Sequence, residues 1–358
     1  MVALGTRPET IKMAPVIRAL QKYGQPFSLV HSGQHYDYNL SIRFIEELNL
    51  PRPDHNLRFR ESLPAAQTGR MMMGLEKIVK REKPKLMLIQ GDTNTMLAAA
   101  LTSFKQNVPV GHVEAGLRSY DWRMPEEHNR RMVDHASKYL FAPTLGAKEN
   151  LERENIWGKV FVTGNTVIDA VAQHLPIAEK KSDVMGRINF REYILVTAHR
   201  AENVDDPRVL RNFVEVFMEA PLPVVFPVHP RTAKRLRQYN LWKKLASSKT
   251  VQLLPPMGYF DFLILMKNCE LMLTDSGGLQ EEATAPPIRK FVLVLRLSTE
   301  RPEAVEAGFA KVVGVDKKKI LRALRDSVEN PPNLRKSSPF GDGKAGEKIT
   351  KIVMGELG

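Results

Sequence analysis

Short apolar runs alternate with longer stretches of helical periodicity along almost the whole chain. This alternation is typical of α/β proteins, in which helices connect parallel strands. The pattern predicts strands at residues 2–4, 28–31, 86–90, 108–113, 139–142, 160–163, 193–197, 224–228, 251–254, 271–274, 292–295 and 311–313. Helices are expected between them, for example at residues 95–104, 206–219, 259–267 and 317–328.

The predicted strands fall into two sets, separated by the polar, strand-free stretch 179–191. Two doubly wound α/β domains fit this arrangement better than one barrel, although the strand pattern alone leaves a barrel open. The length of 358 residues also fits two domains, at about 150 residues each. We therefore expect the domain boundary near residue 179 or just before it.

Composition and hydropathy narrow the kind of protein without identifying it. Hydrophobic residues make up 43% of the chain, but its apolar runs stay well below the roughly 18 residues that span a bilayer. The N-terminal segment also lacks room for the apolar region of a signal peptide, so we expect a cytoplasmic protein with no membrane partner. The single cysteine, Cys269, excludes an internal disulfide and a cysteine-based zinc site.

The chain is basic, with 53 Lys and Arg against 40 Asp and Glu and a net charge of +13. Taken alone, this charge is compatible with nucleic acid, an anionic membrane surface or an anionic small ligand. The basic residues are scattered, however, and no nucleic-acid-binding motif accompanies them. We therefore favour a polyanionic small ligand and expect no nucleic-acid partner.

Ligands of open parallel sheets bind beyond the carboxyl ends of the strands, so residues directly after an apolar run are the informative ones. The sequence TDSGGLQEE at 274–282 follows one such run. Its Ser276, Gly277 and Gly278 stand where a helix begins, and two glycines let a ligand approach the backbone closely. We favour a phosphate cradle over an ordinary turn with Ser276 as helix cap, because a cap does not require two adjacent glycines.

The first strand is followed by GTRPE at residues 5–9. A proline is tolerated near a helix start, and the Arg7 guanidinium is able to bind a phosphate with two hydrogen bonds. Lys12 follows on the next helical turn. A capped helix with surface charges explains this segment equally well.

Carboxylates follow two further strands. Asp92 and Glu114 are separated by one strand–helix–strand unit, so both are expected at the same edge of the sheet. Glu126 and Glu127 stand at a predicted helix start, where acids often only complement the helix dipole, and we favour that interpretation for Glu127. Carboxylates beside a phosphate need cations to offset their charge, and the candidates are Arg7, Lys12, Arg118, Arg130 and His199.

Histidines end two strands of the second set. His199 and His229 both directly follow apolar runs, and two histidines at corresponding sheet edges favour a functional role. No HExxH motif or closely spaced histidine pair is present, so a metal site is not expected. The GDGKAG sequence at 341–346 matches the GxGxxG pattern of dinucleotide-binding motifs. Because no apolar strand precedes it, we do not interpret it as a dinucleotide-binding site.

Over nearly its whole length the chain resembles the non-hydrolysing UDP-N-acetylglucosamine 2-epimerases of bacteria and archaea. The residues that carry the resemblance are GTRPE at 5–9, SGQH at 32–35, QGDT at 90–93, GHVEAGLR at 111–118, PEE at 125–127, VTGNTVID at 162–169, TDSGG at 274–278 and TERPE at 299–303. The sequences AHRAEN at 198–203 and HPRT at 229–232 look closest to the archaeal branch.

This resemblance implies a glycosyltransferase-B-like fold of two Rossmann-like domains, an active site in the interdomain cleft, and a homodimer. The first domain would comprise residues 1–168 completed by a C-terminal helix at 345–358, and the second residues 169–344. The implied reaction interconverts UDP-N-acetylglucosamine and UDP-N-acetylmannosamine by eliminating UDP to a 2-acetamidoglucal and adding it back. It needs no cofactor, and it would supply surface polysaccharide or glycan synthesis.

The resemblance also assigns roles to residues of this chain. Asp92, Glu114 and Glu126 become the acid–base candidates, with His199 as a further catalytic residue. Substrate binding would involve Arg7, Lys12, Arg130, His199, Phe262, Ser276, Gly277, Gly278, Glu282 and Arg301. Phe262 would lie beside the uracil, although core packing explains it equally well. Gln34, His35, Arg200 and His229 match positions linked in some bacterial members to an activating second UDP-N-acetylglucosamine.

The sequence departs from the family pattern at two places, and two other enzymatic functions remain open. The family's Gly-Lys-Pro turn is replaced by APPIRKF at 285–291, and Leu297 stands where an Asp commonly follows Arg296, so an altered loop is expected near Arg296 and Arg301. A hydrolysing epimerase, which releases free N-acetylmannosamine and UDP, is one alternative. A glycosyltransferase on the same scaffold is the other.

Overall fold

The computed structural model describes residues 1–33, 38–57, 61 and 63–357. The strands are β1 Val2–Leu4, β2 Leu29–His31, β3 His55–Asn56, β4 Met87–Gln90, β5 Val110–Val113, β6 Tyr139–Ala142, β7 Lys159–Val162, β8 Ile194–Thr197, β9 Val224–Pro227, β10 Val251–Leu254, β11 Leu271–Thr274, β12 Phe291–Val294 and β13 Ala310–Val312. Each of the predicted strands is confirmed to within two residues, but β3 was missed because it is only two polar residues long.

The helices follow the predicted alternation with the strands. They are α1 Arg7–Lys22, α2 Tyr38–Glu47, α3 Pro64–Glu82, α4 Asn94–Lys105, α5 Pro125–Ala136, α6 Leu145–Arg153, α7 Thr166–Lys181, α8 Ala201–Val204, α9 Pro207–Glu219, α10 Pro230–Gln238, α11 Trp242–Ala246, α12 Tyr259–Asn268, α13 Gly277–Glu282, α14 Pro302–Glu306, α15 Lys317–Glu329 and α16 Ala345–Leu357. A 3₁₀-helix at Val184–Arg187 lies in the stretch that was predicted to be free of strands.

The chain divides into two compact units, one formed by Met1–Ala170 with Phe340–Gly358 and the other by Val171–Pro339. In the part of the first unit that the structure describes, the sheet has the strand order β3-β2-β1-β4-β5-β6-β7. The sheet of the second unit has the order β10-β9-β8-β11-β12-β13. All recorded strand pairs are parallel. Both sheets are open and doubly wound, so the barrel alternative is wrong.

The burial of the strands and the apolar clusters around them explain this architecture. The strands β1, β4, β8 and β11 are buried over their whole length or nearly so, because helices cover both faces of a parallel sheet. The second unit packs one continuous apolar cluster of strands and helices, which includes Phe213, Phe217 and Phe226. The equivalent cluster of the first unit centres on α3, α4 and the strands beneath them.

Strand order places the candidate residues. Each sheet reverses its winding direction once, between β1 and β4 in the first unit and between β8 and β11 in the second. Doubly wound sheets bind ligands at these switch points, where the loops diverge to opposite faces. The sequences GTRPE, QGDT, AHRAEN and TDSGG all begin at the carboxyl ends of these four strands.

The C-terminal helix α16 belongs to the first unit and packs on α1. A Cβ atom added to Gly346 would lie 2.7 Å from the carbonyl carbon of Pro15, so this close approach of the two helices requires a glycine. At the exposed end of the contact, Lys22 donates a hydrogen bond of 2.6 Å to Glu347. The carboxylate of Asp169 on α7 accepts the backbone N–H of Gly346 at 2.8 Å.

Candidate active site

The GTRPE loop is built around a capped helix start. Thr6 caps α1 by accepting the N–H of Glu9, and the Glu9 carboxylate accepts the N–H groups of Gly5 at 2.6 Å and Thr6 at 3.1 Å. Burial raises the pKa of Glu9 against the opposing effect of these hydrogen bonds. Glu9 therefore holds the loop, while Arg7 stays exposed with its guanidinium 5.4 Å from the centre of the Phe44 ring.

Lys12 and Glu114 meet at the carboxyl edge of the first sheet. The Lys12 ammonium donates a 2.5 Å hydrogen bond to the Glu114 carboxylate, and the two side chains are 13% and 8% exposed. Glu114 has a backbone φ of +69°, which is uncommon for a residue with a side chain and is held only where the surroundings enforce it. Here the N–H groups of Glu114 and Ala115 both donate to the carbonyl of Phe141.

Asp92 and Arg130 form the second pair at this edge. Two guanidinium nitrogens of Arg130 lie 2.9 Å and 2.7 Å from the same carboxylate oxygen of Asp92. Asn129 supports the turn by donating to the backbone carbonyl of Asp92 at 2.8 Å. Because β4 and β5 are adjacent and parallel, Asp92 and Glu114 emerge on the same edge of the sheet, as predicted.

The two acidic residues at the start of α5 differ in burial and in their contacts. Glu127 is fully buried and accepts the N–H and hydroxyl of Ser119 at 2.8 Å and 3.0 Å. Burial opposes its ionisation, but these hydrogen bonds and Arg130 outweigh it and lower the pKa of Glu127. Glu126 is exposed, and no hydrogen bond or ion pair joins it to any other residue that the structure describes. The structural interpretation of Glu127 is therefore supported, whereas Glu126 remains available to a ligand.

A buried charged network lies beneath both pairs. His112, inside β5, places Nδ1 2.7 Å from Asp134 and Nε2 2.9 Å from the carbonyl of Gly91. Asp134 also accepts the N–H of Gly116 and lies 2.7 Å from the Arg118 guanidinium. Burial would raise the pKa of Asp134, but its interactions with His112 and Arg118 outweigh burial and lower it.

Two residues of this network change the expectations from the sequence. Arg118 was grouped with the cations that offset ligand charge, and this was wrong because its guanidinium is fully buried between Asp134 and Glu154. His112 was not recognised as part of the site. The signal was present, because a histidine inside an otherwise apolar, fully buried strand requires hydrogen-bond partners.

In the second unit, Asp275 organises the loop that carries His199. Asp275 is fully buried and accepts the N–H groups of His199 and Arg200, each at 2.9 Å, and the side-chain amide of Asn203 at 3.2 Å. The same carboxylate lies 3.2 Å from Nδ1 of His199, which keeps about a third of its side chain exposed. The Arg200 Nε atom is buried without a hydrogen-bond partner in the part of the chain that the structure describes.

His199 and His229 lie together, with ring centres 5.6 Å apart. His229 caps α10, since its Nδ1 accepts the N–H of Arg231 at 3.2 Å. Burial, together with the charges of His199 and Arg231, lowers the pKa of His229. This ring is therefore held as a neutral imidazole whose Nδ1 is already used.

The Ser276 turn does not use its side chain as a helix cap. Ser276 precedes α13 but its hydroxyl makes no capping bond, while its N–H donates to the Thr274 hydroxyl at 3.0 Å. A Cβ atom added to Gly278 would meet no atom of the described residues within 4 Å, so packing against them does not explain this glycine. Both observations favour the cradle interpretation over the capping one.

The remaining candidates of the second unit vary in exposure. Arg301 is 7% exposed, and its guanidinium pairs with Glu281 and donates to the carbonyl of Glu300. Glu282 on α13 and Phe262 on α12 are half-buried. Arg296 pairs with Glu300 at 2.6 Å and, although burial opposes the effect, helps to lower the pKa of Glu300 to about 2.

The remaining sequence-based expectations concern a second ligand site, the loop after Arg296, metal binding and membrane spans. Gln34 and His35 lie outside the described residues. Leu297, where the family commonly has an Asp, is 85% exposed. Among the residues that the structure describes, no cluster of three potential metal ligands occurs, and none of the helices there is long and apolar enough to cross a membrane.

Two doubly wound units with charged residues at their switch points form an architecture suited to nucleotides. The chain belongs to the UDP-N-acetylglucosamine 2-epimerase family of isomerases, whose family model matches residues 18–354. The resemblance inferred from the sequence motifs is thereby confirmed.

Individual relatives support this membership over the full chain. A UDP-N-acetylglucosamine 2-epimerase of Methanocaldococcus jannaschii is 47% identical over 361 residues, with 98% of both chains covered. The crystal structure of the M. jannaschii enzyme in complex with UDP-GlcNAc and UDP has a TM-score of 0.87 at 48% identity, covering 99% of this chain and 98% of that one. The Neisseria meningitidis enzyme bound to UDP-GlcNAc has a TM-score of 0.88 at 35% identity, with 99% of both chains covered. These similarities confirm the predicted fold class.

Proposed function

We propose that this protein interconverts UDP-N-acetylglucosamine and UDP-N-acetylmannosamine by inverting C2 of the sugar, and that its product supplies surface polysaccharide or glycan synthesis. The observation that carries the proposal is the pairing of Asp92 with Arg130 and of Glu114 with Lys12 at neighbouring strand ends. Carboxylates beside a diphosphate would repel it unless cations offset their charge. Each of these two candidate acid–base groups has such a cation in contact.

The chemistry follows from the weak acidity of the C2 proton. C2 of the sugar is not adjacent to a carbonyl, so direct removal of its proton would leave an unstabilised carbanion. If a base takes this proton while the C1–O bond breaks, the electron pair leaves on UDP and a C1–C2 double bond forms. UDP then adds back to the 2-acetamidoglucal, and a proton delivered to the opposite face of C2 completes the inversion. The step needs positioned acid–base groups.

In this proposal the first unit supplies the proton transfer. Asp92, Glu114 and Glu126 are the acid–base candidates, and of these Glu126 is the exposed one. Arg7, exposed at the start of α1, is proposed to bind a diphosphate oxygen, since a guanidinium binds phosphate with two parallel hydrogen bonds. Lys12 and Arg130 would stabilise charge that develops as UDP leaves.

The second unit is proposed to bind UDP. Backbone groups of Ser276, Gly277 and Gly278 would hold the diphosphate, and His199 would donate to it. Glu282 would accept the ribose hydroxyls, Phe262 would lie beside the uracil, and Arg301 would support the nucleotide by bracing the turn through Glu281. The Arg200 Nε atom has no hydrogen-bond partner among the described residues, which is consistent with a further anionic ligand. A second UDP-N-acetylglucosamine that contacts Gln34, His35, Arg200 and His229 is therefore part of the proposal.

The test is incubation with UDP-N-acetylglucosamine in deuterated water, followed by NMR of the sugar. We expect a mixture of the two UDP-sugars, both carrying deuterium at C2. Accumulation of free N-acetylmannosamine and UDP would instead identify a hydrolysing epimerase, and transfer of the sugar to an added acceptor would identify a glycosyltransferase. Folded protein that produces neither epimer nor exchange at high substrate concentration would refute the proposal.

A further inference from the structure

The His112–Asp134 pair is buried but touches the backbone beside both candidate carboxylates. His112 is 1% exposed and Asp134 is fully buried. The Nε2 atom of His112 lies 2.9 Å from the carbonyl of Gly91, which directly precedes Asp92. Asp134 accepts the N–H of Gly116, two residues after Glu114. One pair of side chains thus reaches both strand ends.

The hydrogen-bond partners of this pair indicate where its protons lie. A carbonyl oxygen only accepts hydrogen bonds, so Nε2 of His112 carries a proton. The Nδ1 atom faces a carboxylate oxygen at 2.7 Å, so a second proton lies in that bond. The other carboxylate oxygen of Asp134 is bound by the guanidinium of Arg118 and the N–H of Gly116, which favours an ionised Asp134 and an imidazolium at His112.

The backbone that this pair contacts is held in an unusual conformation. Gly91, Glu114 and Gly116 have φ values of +86°, +69° and +84°, so both turns leave the sheet through left-handed residues. Of these three, Glu114 has a side chain and is disfavoured there. Such conformations persist only when surrounding contacts enforce them. The contacts to Gly91 and Gly116 supply this constraint from inside the protein.

The pair is also one end of a chain of alternating charges that returns to Asp92. From Asp134 the contacts run through Arg118, Glu154, Arg131, Glu127 and Arg130 to the Asp92 carboxylate. Asp92 is therefore held from two sides. Arg130 binds its carboxylate, and His112 binds the carbonyl that precedes it.

We propose that His112 and Asp134 are positioning residues of the reaction, which aim Asp92 and Glu114 by holding the Gly91 carbonyl and the Gly116 N–H with a buried imidazolium–carboxylate pair. Neither side chain is proposed to touch the substrate. The inference rests on the proposed epimerase function. The rate of a reaction between bound groups depends strongly on their relative positions. A displacement of a catalytic group by about 1 Å lowers the rate by about 100-fold.

Two substitutions of His112 separate positioning from general support of the fold. In His112→Gln the amide nitrogen occupies the place of Nε2 and still donates to Gly91, whereas in His112→Asn it occupies the place of Nδ1 and still donates to Asp134. Both variants lose the ring and its charge. We expect His112→Asn to lower kcat by about 100-fold with KM within about threefold of wild type, and His112→Gln to retain kcat within about fivefold.

Leu75→Ala is the matched control. Leu75 is a fully buried residue of the α3 cluster in the same unit, and its truncation lowers stability without touching either turn. It should lower Tm and leave kcat per folded molecule unchanged. An equal loss of kcat in both His112 variants, or no loss in His112→Asn, would overturn the inference. The proposed function would still stand in that case, provided that the wild-type protein is active. A wild-type protein without activity would instead refute the proposed function.

Neutron diffraction from deuterium-exchanged wild-type crystals tests the pair even if the variants do not fold. Deuterium on both Nδ1 and Nε2 of His112 is the expected result. A bare Nδ1, with the proton on Asp134, would show that the pair is neutral and would overturn this part of the inference.

Discussion

Asp169 should make the stability of this protein fall as the pH rises from about 4 to about 6. Burial raises the pKa of its carboxyl from 3.8 to about 6, despite hydrogen bonds from the start of α16 that oppose the change. Between these values the folded protein keeps the proton and the unfolded chain loses it. The contribution is therefore fully present below about pH 4 and lost as the pH passes through 6. At 1.36 kcal/mol per pKa unit the difference amounts to about 3 kcal/mol.

Asp169→Asn measures this contribution directly, because an amide does not titrate but still accepts the N–H of Gly346. Urea unfolding at pH 4 and pH 8 should show the variant gaining about 2.4 kcal/mol on wild type as the pH rises, because part of the difference is already present at pH 4. Any constant cost of the amide cancels in this comparison. Leu75→Ala is the control, since its destabilisation should not depend on pH. A difference between variant and wild type that stays the same at both pH values would refute the reasoning.

Three further predictions concern catalysis and nucleotide binding. Asp92→Asn should reduce C2 deuterium exchange by about 10²- to 10⁴-fold while calorimetry still detects UDP binding; loss of both would indicate a structural role. Ser276→Ala, which leaves the backbone of the turn intact, should reduce kcat/KM less than Arg7→Ala, and the reverse order would mean that the GTRPE loop is only a capped helix. Gly278→Ala should not lower Tm, since its Cβ meets no atom of the described residues within 4 Å. It should weaken UDP binding if the diphosphate approaches this backbone. Unchanged affinity for UDP would argue against the cradle.

The fold was predictable because apolar runs report strand burial directly. The twelve strands of the two sheets that consist mainly of apolar or β-branched residues were found in the sequence, whereas β3 has only His55 and Asn56 and gave no such signal. The positions of the motifs at the carboxyl ends of strands followed from the strand alternation, but their positions at the switch points did not. The missing information was strand order, which only the folded structure supplies.

Candidate site residues could be chosen from the sequence, but the contacts among them could not. Lys12 and Glu114 are 102 positions apart, and no spacing rule connects them. Arg118 looked like a free cation because its two partners, Asp134 on α5 and Glu154 directly after α6, are remote from it in the sequence. The homodimer, the cytoplasmic location and the activating second ligand stay predictions.

The packing of α16 on α1 also bears on how the chain reaches its native state. Pro15 and Gly346 approach closely, although hundreds of residues separate them in the sequence. During synthesis the whole Val171–Pro339 unit is made between α1 and α16, so α1 waits for its partner helix. A premature stop before Ala345 would keep all thirteen described strands but uncover the apolar side of α1, and such a product would be prone to aggregate. The packing of α1 is thus completed only after α16 has been made.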